Sequence, residues 1–416
     1  MQSIYSSVWF WKILFKCFYF ERLILIYLIF ISNRCSATLG KTDRRPTKIH
    51  KTIVQQSPVR ETVFDRSLVV LNITAKDIVR EYLSYSFKEV DKRNFNGTVL
   101  AYVTPWNSHG YDVAKIFARK FTHISPVWLQ ARLTPNDDDF IVEGKHDIDF
   151  GWMQELRNRN PNIKIVPRLI FERMTHSQYL SLLIHDSIVQ QIGKHLTDLA
   201  KRYEFDGYVI EIWKAYGGQH RLDLAHMFQL ISKELTRNHL ELHIAVPPPL
   251  YYDDFMSTFQ KEDIERLAAF SKGFSLMTYD YSDASRPGPN SPINWVRKCV
   301  QILAPKDTSP VRKKILIGLN FYGNDYSISG GGPILGNRYI EILDKHRPKF
   351  LWDDVSQEHY FEYKYSTQLK ESSGRNRVFF PTLFSIRKRI DLASKMGTGI
   401  SIWEIGQGLD YFYDLL

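Results

Sequence analysis

Carboxylates and aromatic rings recur at the ends of the apolar runs in this chain. Trp106, Trp128, Trp213 and Trp403 each end or follow a β-branched run, as do Tyr102, Met277, Tyr279, Asn320 and Tyr322. Glu172, Glu211, Asp280 and Glu404 occupy similar places. A positioned carboxyl can serve as general acid or base. An indole or phenol presents an apolar face with a polar edge, which suits the apolar face of a sugar ring. Four tryptophans so placed predict a cleft that binds saccharide, the competing role for each being to plug the core. His109, His123 and His176 are scattered at loop and strand starts with no Ser or Cys elbow nearby, and they are expected to be structural or solvated.

The elements that must position these groups are strands alternating with helices. Strand patterns occupy Val99–Thr104, His123–Val127, Ile163–Ile170, Gly207–Ile212, Leu242–Val246, Phe274–Tyr279, Ile315–Phe321 and Gly399–Trp403. Helical patterns include Ser187–Tyr203, Leu222–Thr236, Lys261–Phe270 and Leu383–Lys395. Near-continuous apolar strands joined by helix-length connections predict an α/β fold of the (β/α)8 TIM-barrel type. An open doubly wound sheet is the alternative, but no GxGxxG or GxxxxGK[ST] loop follows any strand. The connection from Phe321 to Gly399 is far longer than the others and carries its own strand-like runs, which predicts a small α+β insertion over about 324–380. Residues 61–97 read as a helical segment packing on a barrel of residues 98–416, with Thr74 as N-cap and Asp77 at N3 of a helix running to about Val90.

Composition narrows the class. At 416 residues, 44% hydrophobic and 24% charged, the chain can bury a large core. Three cysteines exclude a disulfide-stapled scaffold. No CxxC, HExxH or Cys/His cluster occurs in the sequence, so neither a metal site nor a cofactor is expected. The charge of +10 implies acidic partners. Lys and Arg are spread along the chain without a dense basic stripe, which argues against nucleic acid.

The N-terminal residues read as a targeting segment. Leu23–Ile31 is unbroken apolar sequence, preceded by Lys12, Lys16 and Arg22 and followed by Cys35-Ser36-Ala37. That is the layout of a signal peptide over residues 1–37, followed by a basic flexible tail over 38–60. An uncleaved anchor is the alternative, but a span from Val8 to Ile31 would bury Lys12, Lys16, Glu21 and Arg22 at roughly 2.5–3.5 kcal/mol each near its centre. The expectation is a secreted chain, also routed to lysosomal or endosomal compartments, with no stable membrane insertion. The sequons Asn72-Ile73-Thr74 and Asn96-Gly97-Thr98 are then glycosylation sites. Secretion favours acidic glycan or lipopolysaccharide as the anionic partner. Cys299, on the apolar face of the helix pattern around Asn294–Leu303, is expected to be a buried inert thiol.

The run Asp206-Gly207-Tyr208-Val209-Ile210-Glu211-Ile212-Trp213 resembles the DGxDxDxE signature of glycoside hydrolase family 18. Similar matches are Tyr102–Trp106, Met277–Tyr281, Gly318–Gly323 and Ser401–Glu404, and the resemblance extends from about Gly97 to Tyr413. Two runs, Tyr102–Tyr111 and Gly406–Leu416, are similar to one branch of the family, which implies a scavenger receptor of the stabilin type as a partner. In the active family the final Glu of the signature is the general acid, and the substrate's own acetamido group is the nucleophile. Here Trp213 holds the acid's place, Glu211 that of the orienting carboxylate, and Val209 replaces the Asp before it. An indole cannot protonate a glycosidic oxygen, and losing a positioned acid removes on the order of 10²–10⁴-fold of rate.

The resemblance therefore implies a chitinase-like lectin, not an enzyme, that holds N-acetylglucosamine-containing oligosaccharide through Tyr102, Trp106, Met277, Tyr279, Asp280, Tyr322 and Trp403, with Trp213 closing the floor. Glu211 is expected to lie buried and bonded to Tyr279 or Asp280. One rival is a hydrolase using Glu172, Glu404 or Asp280, which for inversion needs carboxyls about 6.5–9.5 Å apart. The other is an adaptor that docks on a receptor through an exposed apolar patch.

Overall fold

Eight parallel strands form in the computed structural model, which describes residues 52–134, 140–216, 218–252, 255–327, 330–365 and 374–416. They are β1 Val99–Val103, β2 His123–Pro126, β3 Arg168–Phe171, β4 Gly207–Glu211, β5 Glu241–Val246, β6 Gly273–Leu276, β7 Ile315–Asn320 and β8 Gly399–Trp403. From β3 through β8 each strand pairs with the next, β8 pairs with β1, and β1 pairs with β2. The ring closes between β2 and β3. Lys164–Ile165, just upstream of β3, pairs with His123–Ile124, and the Val166 amide donates to the Ile124 carbonyl at 2.8 Å. Pro167 has no N–H to continue that ladder. The single strand expected over Ile163–Ile170 is therefore two pieces, and the Pro167 carbonyl instead accepts from Val209 of β4 at 3.0 Å. The result is the expected α/β barrel.

Both faces of these strands are covered, which is why they read as continuous apolar runs. Along β1, Leu100 and Tyr102 enter a small interior cluster with Val127, Val166, Val209, Ala245 and Leu316, against which Trp403 packs. Val99, Ala101 and Val103 join the larger outer cluster under the helices. Asp206 clips the base of the barrel: its Oδ2 accepts from the Ile165 amide at 2.9 Å, and Lys164 and Arg157 flank it. Gly207 follows at φ 152°, where a Cβ would lie 2.0 Å from the Glu241 carbonyl. The Asp-Gly pair of the signature is thus structural, seating β4 against both neighbours. β6 stops at Leu276, short of the expected Tyr279, because the Thr278 hydroxyl replaces the ladder, accepting from the Gly318 amide at 2.8 Å.

Between β7 and β8 lies a second, antiparallel sheet of strands Gly323–Ser327, Gly330–Ile334, Leu351–Asp353, Glu358–Tyr365 and Gly374–Phe379, with helix Gly336–His346 beside them in the chain. The helix capped by Thr74, whose Oγ1 accepts from Asp77 N at 3.2 Å, ends at Glu81 and not near Val90. Ser84 Oγ caps the Glu81 carbonyl at 2.6 Å, and the chain then turns so that the Ser86 amide reaches the Asp414 carboxylate. Asn94 donates to the Leu416 carbonyl, so this segment and the C-terminal turn Asp410–Leu415 cover one face together. The expected flexible tail does not reach residue 60. Gln55 N bonds Arg80 O at 2.7 Å, and Val59 exchanges backbone bonds with Tyr85 and Phe87. The signal segment and the tail up to Lys51 lie outside the described residues. Among the described residues no helix is long and apolar enough to cross a membrane.

Candidate functional site

The C-terminal ends of β1, β4, β6, β7 and β8, with Arg168 from the start of β3, bring together a polar, aromatic mouth. Tyr102 on β1 is buried and donates its hydroxyl to Ser275 Oγ at 2.8 Å. Its ring lies 5.1 Å from that of Trp403, the half-buried last residue of β8, whose peptide with Glu404 is cis. Arg168 of β3 places its guanidinium 5.7 Å from the Trp403 ring and donates from Nε to Glu211 Oε2 at 2.7 Å. Glu211 is thus tied to Arg168, not to Tyr279 or Asp280 as expected. The reason is register: Ile170 stands opposite Glu211, so Arg168 lies on the same face of the adjacent strand one pleat below.

Tyr279 and Tyr322 form the other wall, with ring centroids 6.4 Å apart. The Tyr322 hydroxyl donates to Asp280 Oδ1. Asp280 is exposed in the left-handed region at φ 58°, where its amide donates to Asn290 Oδ1 at 2.8 Å. A Cβ at Gly318 would meet the Tyr279 ring at 2.9 Å, so the glycine of β7 is what lets Tyr279 lie down over the barrel. Burial pushes the Tyr279 hydroxyl well above its ordinary range, and nearby Tyr102, Glu211 and Asp280 add to this. Burial likewise raises Tyr102 and Tyr322. These phenols stay protonated at physiological pH, and those of Tyr102 and Tyr322 act as hydrogen-bond donors. Met277, half-buried, donates its amide to the Val246 carbonyl at 3.0 Å beside this wall.

Other expected members are elsewhere. Trp213 does not close the floor. β4 ends at Glu211, a short helix starts at Trp213, and the change of backbone turns the indole out of the mouth. Its side chain is wholly buried in the outer layer, 5.2 Å from the Phe259 ring, with Nε1 donating to the Thr258 carbonyl at 3.2 Å. Trp128 is also core: Nε1 donates to the Tyr111 hydroxyl at 2.8 Å, and Trp152 and Phe205 surround it. Trp106 is 66% exposed, on the wall of a separate cleft of about 580 Å³ shared with His109, Leu335, Glu341 and Asp410. Among the tryptophans of the described residues, then, only Trp403 sits in the mouth and only Trp106 is widely open to solvent.

The alternative carboxylates are not paired across the mouth. Glu404 is fully buried, accepting from Asn107 Nδ2 at 2.5 Å and the Gly406 amide at 2.8 Å. Burial pushes it up to about 7 against the pull of those donors. Glu172 sits at the surface beside Arg173, 3.9 Å away. Asn320 is held by the Tyr322 carbonyl at 2.7 Å. Sequence reading missed Arg168, although a charge flanked by Val166, Leu169 and Ile170 in a strand run is a signal, since a buried charge needs a partner. It also missed a cluster at the opposite end of the barrel, His123, Glu241 and His243, which fold together from distant positions. Asn72 and Asn96 are both exposed, and Cys299 is buried and free.

A closed parallel barrel whose mouth carries tilted and edge-to-face aromatic pairs, phenol donors and a clamped carboxylate defines a protein of the glycoside-hydrolase barrel type. Residues 98–408 match the sequence profile of Glycosyl hydrolases family 18, and the chain belongs to that family. Its structure is similar to that of a chitinase from Chromobacterium violaceum ATCC 12472, with TM-score 0.64 and 19% identity over 77% of this chain and 98% of that one. The spore cortex-lytic enzyme SleL of Bacillus megaterium QM B1551 gives TM-score 0.62 and 18% identity, covering 76% of this chain and 72% of that one. The Group IV chitinase of Ostrinia furnacalis in complex with allosamidin gives TM-score 0.62 and 16% identity, covering 77% and 98%. At these identities the likeness establishes the fold.

Proposed function

We propose that the protein is a chitinase-like lectin that binds N-acetylglucosamine-containing oligosaccharide at the barrel mouth without hydrolysing it. One observation carries this reading: the acid's position in the signature is Trp213, and its indole is packed under Phe259, leaving no carboxyl there. Glu211, the nearest signature carboxylate, is clamped by Arg168, and Glu404 is sealed by Asn107 and Gly406. Trp403, Tyr279, Asp280 and Tyr322 remain at the mouth as a stacking and hydrogen-bonding surface, which supports retained binding. The chitinases among its structural neighbours support an N-acetylglucosamine ligand. The charge of +10 supports acidic glycan or lipopolysaccharide as a variant of it.

The runs Tyr102–Tyr111 and Gly406–Leu416 support placing the chain near chitinase domain-containing protein 1, the stabilin-interacting chitinase-like protein, and with it secretion, lysosomal routing and a stabilin-type receptor. The adaptor reading draws on exposed Tyr252, Phe255 and Met256 after β5, which offer apolar surface beside Arg286. A glycan array and a hydrolysis assay on one preparation test the proposal. Saturable binding without turnover is the expected result. Turnover that vanishes in Glu211→Gln or Asp280→Asn makes the protein a glycosidase, and absence of any glycan binding leaves the adaptor.

A further inference from the structure

At the N-terminal end of the barrel, opposite the mouth, three side chains from two non-adjacent strands converge. His123 opens β2, and Glu241 and His243 are the first and third residues of β5, so the latter two point to one side of their strand. Glu241 Oε2 lies 2.9 Å from His123 Nε2 and 3.3 Å from His243 Nε2, and the three atoms all fall within 4.8 Å of one another. The imidazole rings stand 4.8 Å apart at 70°. We propose that His123 Nε2, His243 Nε2 and Glu241 Oε2 form a binding site for a divalent transition-metal ion of the zinc class.

Two imidazoles and a carboxylate are a donor set that zinc accepts with an open fourth position. Metal–ligand bonds of about 2.0–2.2 Å put tetrahedral ligand atoms roughly 3.3 Å apart; both Glu241 separations are within tenths of an ångström of this, and the two imidazole nitrogens, within 4.8 Å of each other, close the remaining gap by side-chain rotation. The ring of His123 is held for this task. Thr122 Oγ1, itself bonded to both backbone groups of Val99, lies 2.8 Å from His123 Nδ1. With the hydroxyl proton on the Val99 carbonyl, Nδ1 carries hydrogen and Nε2 turns its lone pair to the carboxylate. Two electron-rich atoms at 2.9 Å require a cation between them, a proton or a metal. Such support of the second imidazole nitrogen is what oriented metal-ligating histidines use.

Gly273 leaves room for the ring, since a Cβ there would lie 2.9 Å from His243 Nδ1. Glu241 keeps 20% of its side chain exposed, which opens a path from solvent. Lys272 opposes the ion: its Nζ lies 3.6 Å from Glu241 Oε1 and competes for the same carboxylate.

The test is calorimetric titration of Zn²⁺ into the chelator-treated full chain, with Co²⁺ absorption reporting coordination geometry. The expected result is one ion per chain and the visible bands of tetrahedral Co²⁺. Glu241→Gln and His123→Gln should weaken uptake by more than about 100-fold, because even outer partners of a metal ligand are worth roughly 10–100-fold. Lys272→Gln, on an exposed side chain, should strengthen it several-fold, and this variant keeps the test decisive if the ligand variants fail to fold. Absence of uptake by the folded chain, or uptake that Lys272→Gln leaves unchanged, overturns the proposal.

Discussion

Arg168 and Glu211 join across β3 and β4 through a 2.7 Å bond from guanidinium Nε to carboxylate, with both side chains more than four-fifths buried. Glu211 is also the residue two places before Trp213 in the signature-like run. Breaking a buried pair by removing one partner leaves the other charge uncompensated, typically at about 3–5 kcal/mol. Arg168→Met is therefore expected to destabilise the fold by about 3 kcal/mol, and Arg168→Met/Glu211→Met to recover most of that loss. Urea unfolding of the three proteins checks this, and a double variant no more stable than the single one contradicts it.

Restoring the signature residue should not restore catalysis. Trp213→Glu places a carboxylate in the apolar pocket beside Phe259, facing away from the mouth. Loss of the buried indole alone costs about 3–5 kcal/mol. The expected outcome is a destabilised protein with turnover of N-acetylglucosamine oligomers still at background. Measurable turnover by this variant would mean that β4 can extend to residue 213 and bring it into the mouth.

Trp403 and Trp106 should behave differently in binding. Trp403 lies in the mouth over Tyr102, whereas Trp106 stands on the separate cleft. Hot-spot aromatics commonly cost 2 kcal/mol or more on truncation, so Trp403→Ala should weaken oligosaccharide binding by roughly 30-fold. Trp106→Ala should leave short oligomers unaffected and weaken only those long enough to reach its cleft. Calorimetry with an oligomer length series distinguishes these outcomes.

Buried Glu404 links stability to pH. Its folded pKa of about 7 lies above the ordinary 4.5, so the group contributes stability that is complete below about pH 4.5 and is lost as pH rises through 7. Asp414, raised by burial from 3.8 to about 7, acts in the same direction. At most, the Glu404 shift corresponds to about 3 kcal/mol and the Asp414 shift to about 4 kcal/mol. Glu404→Gln, accommodated by a flip of the Asn107 amide, should leave stability near that of the parent at about pH 5 and exceed it at about pH 8. Denaturant curves at the two pH values measure that difference, and a constant gap excludes the linkage.

Glycosylation offers a check on routing. With Asn72 and Asn96 both exposed, expression in a secretory cell should yield a soluble chain beginning near Thr38 that carries glycan on one or both. Recovery of full-length protein only in carbonate-resistant membranes would mean that the N-terminal segment is an anchor.

What the sequence alone determined is what local periodicity encodes. Helices Asp186–Tyr203, Arg221–Arg237 and Leu383–Met396 follow their apolar spacing to within about a residue at each end, and the last stops at Gly397, whose φ of 69° suits glycine. The eight strands are legible because a parallel barrel buries both strand faces and leaves apolar runs. The signature Asp206-Gly207 pair marks the base of β4, and the aromatic strand ends mark the mouth. Tertiary structure alone decided which of those ends face it. Trp213 was expected beside Glu211 on the assumption of unbroken two-residue alternation, but β4 stops and a helix turns the ring into the outer core. Trp128 enters the same layer because Tyr111 and Trp152, distant in sequence, supply its partners. The Arg168–Glu211 clamp and the meeting of His123 with Glu241 and His243 depend on strand register and barrel closure. Those are set by pairing between residues up to 301 positions apart, as Val99 with Ile400, and no local window carries them.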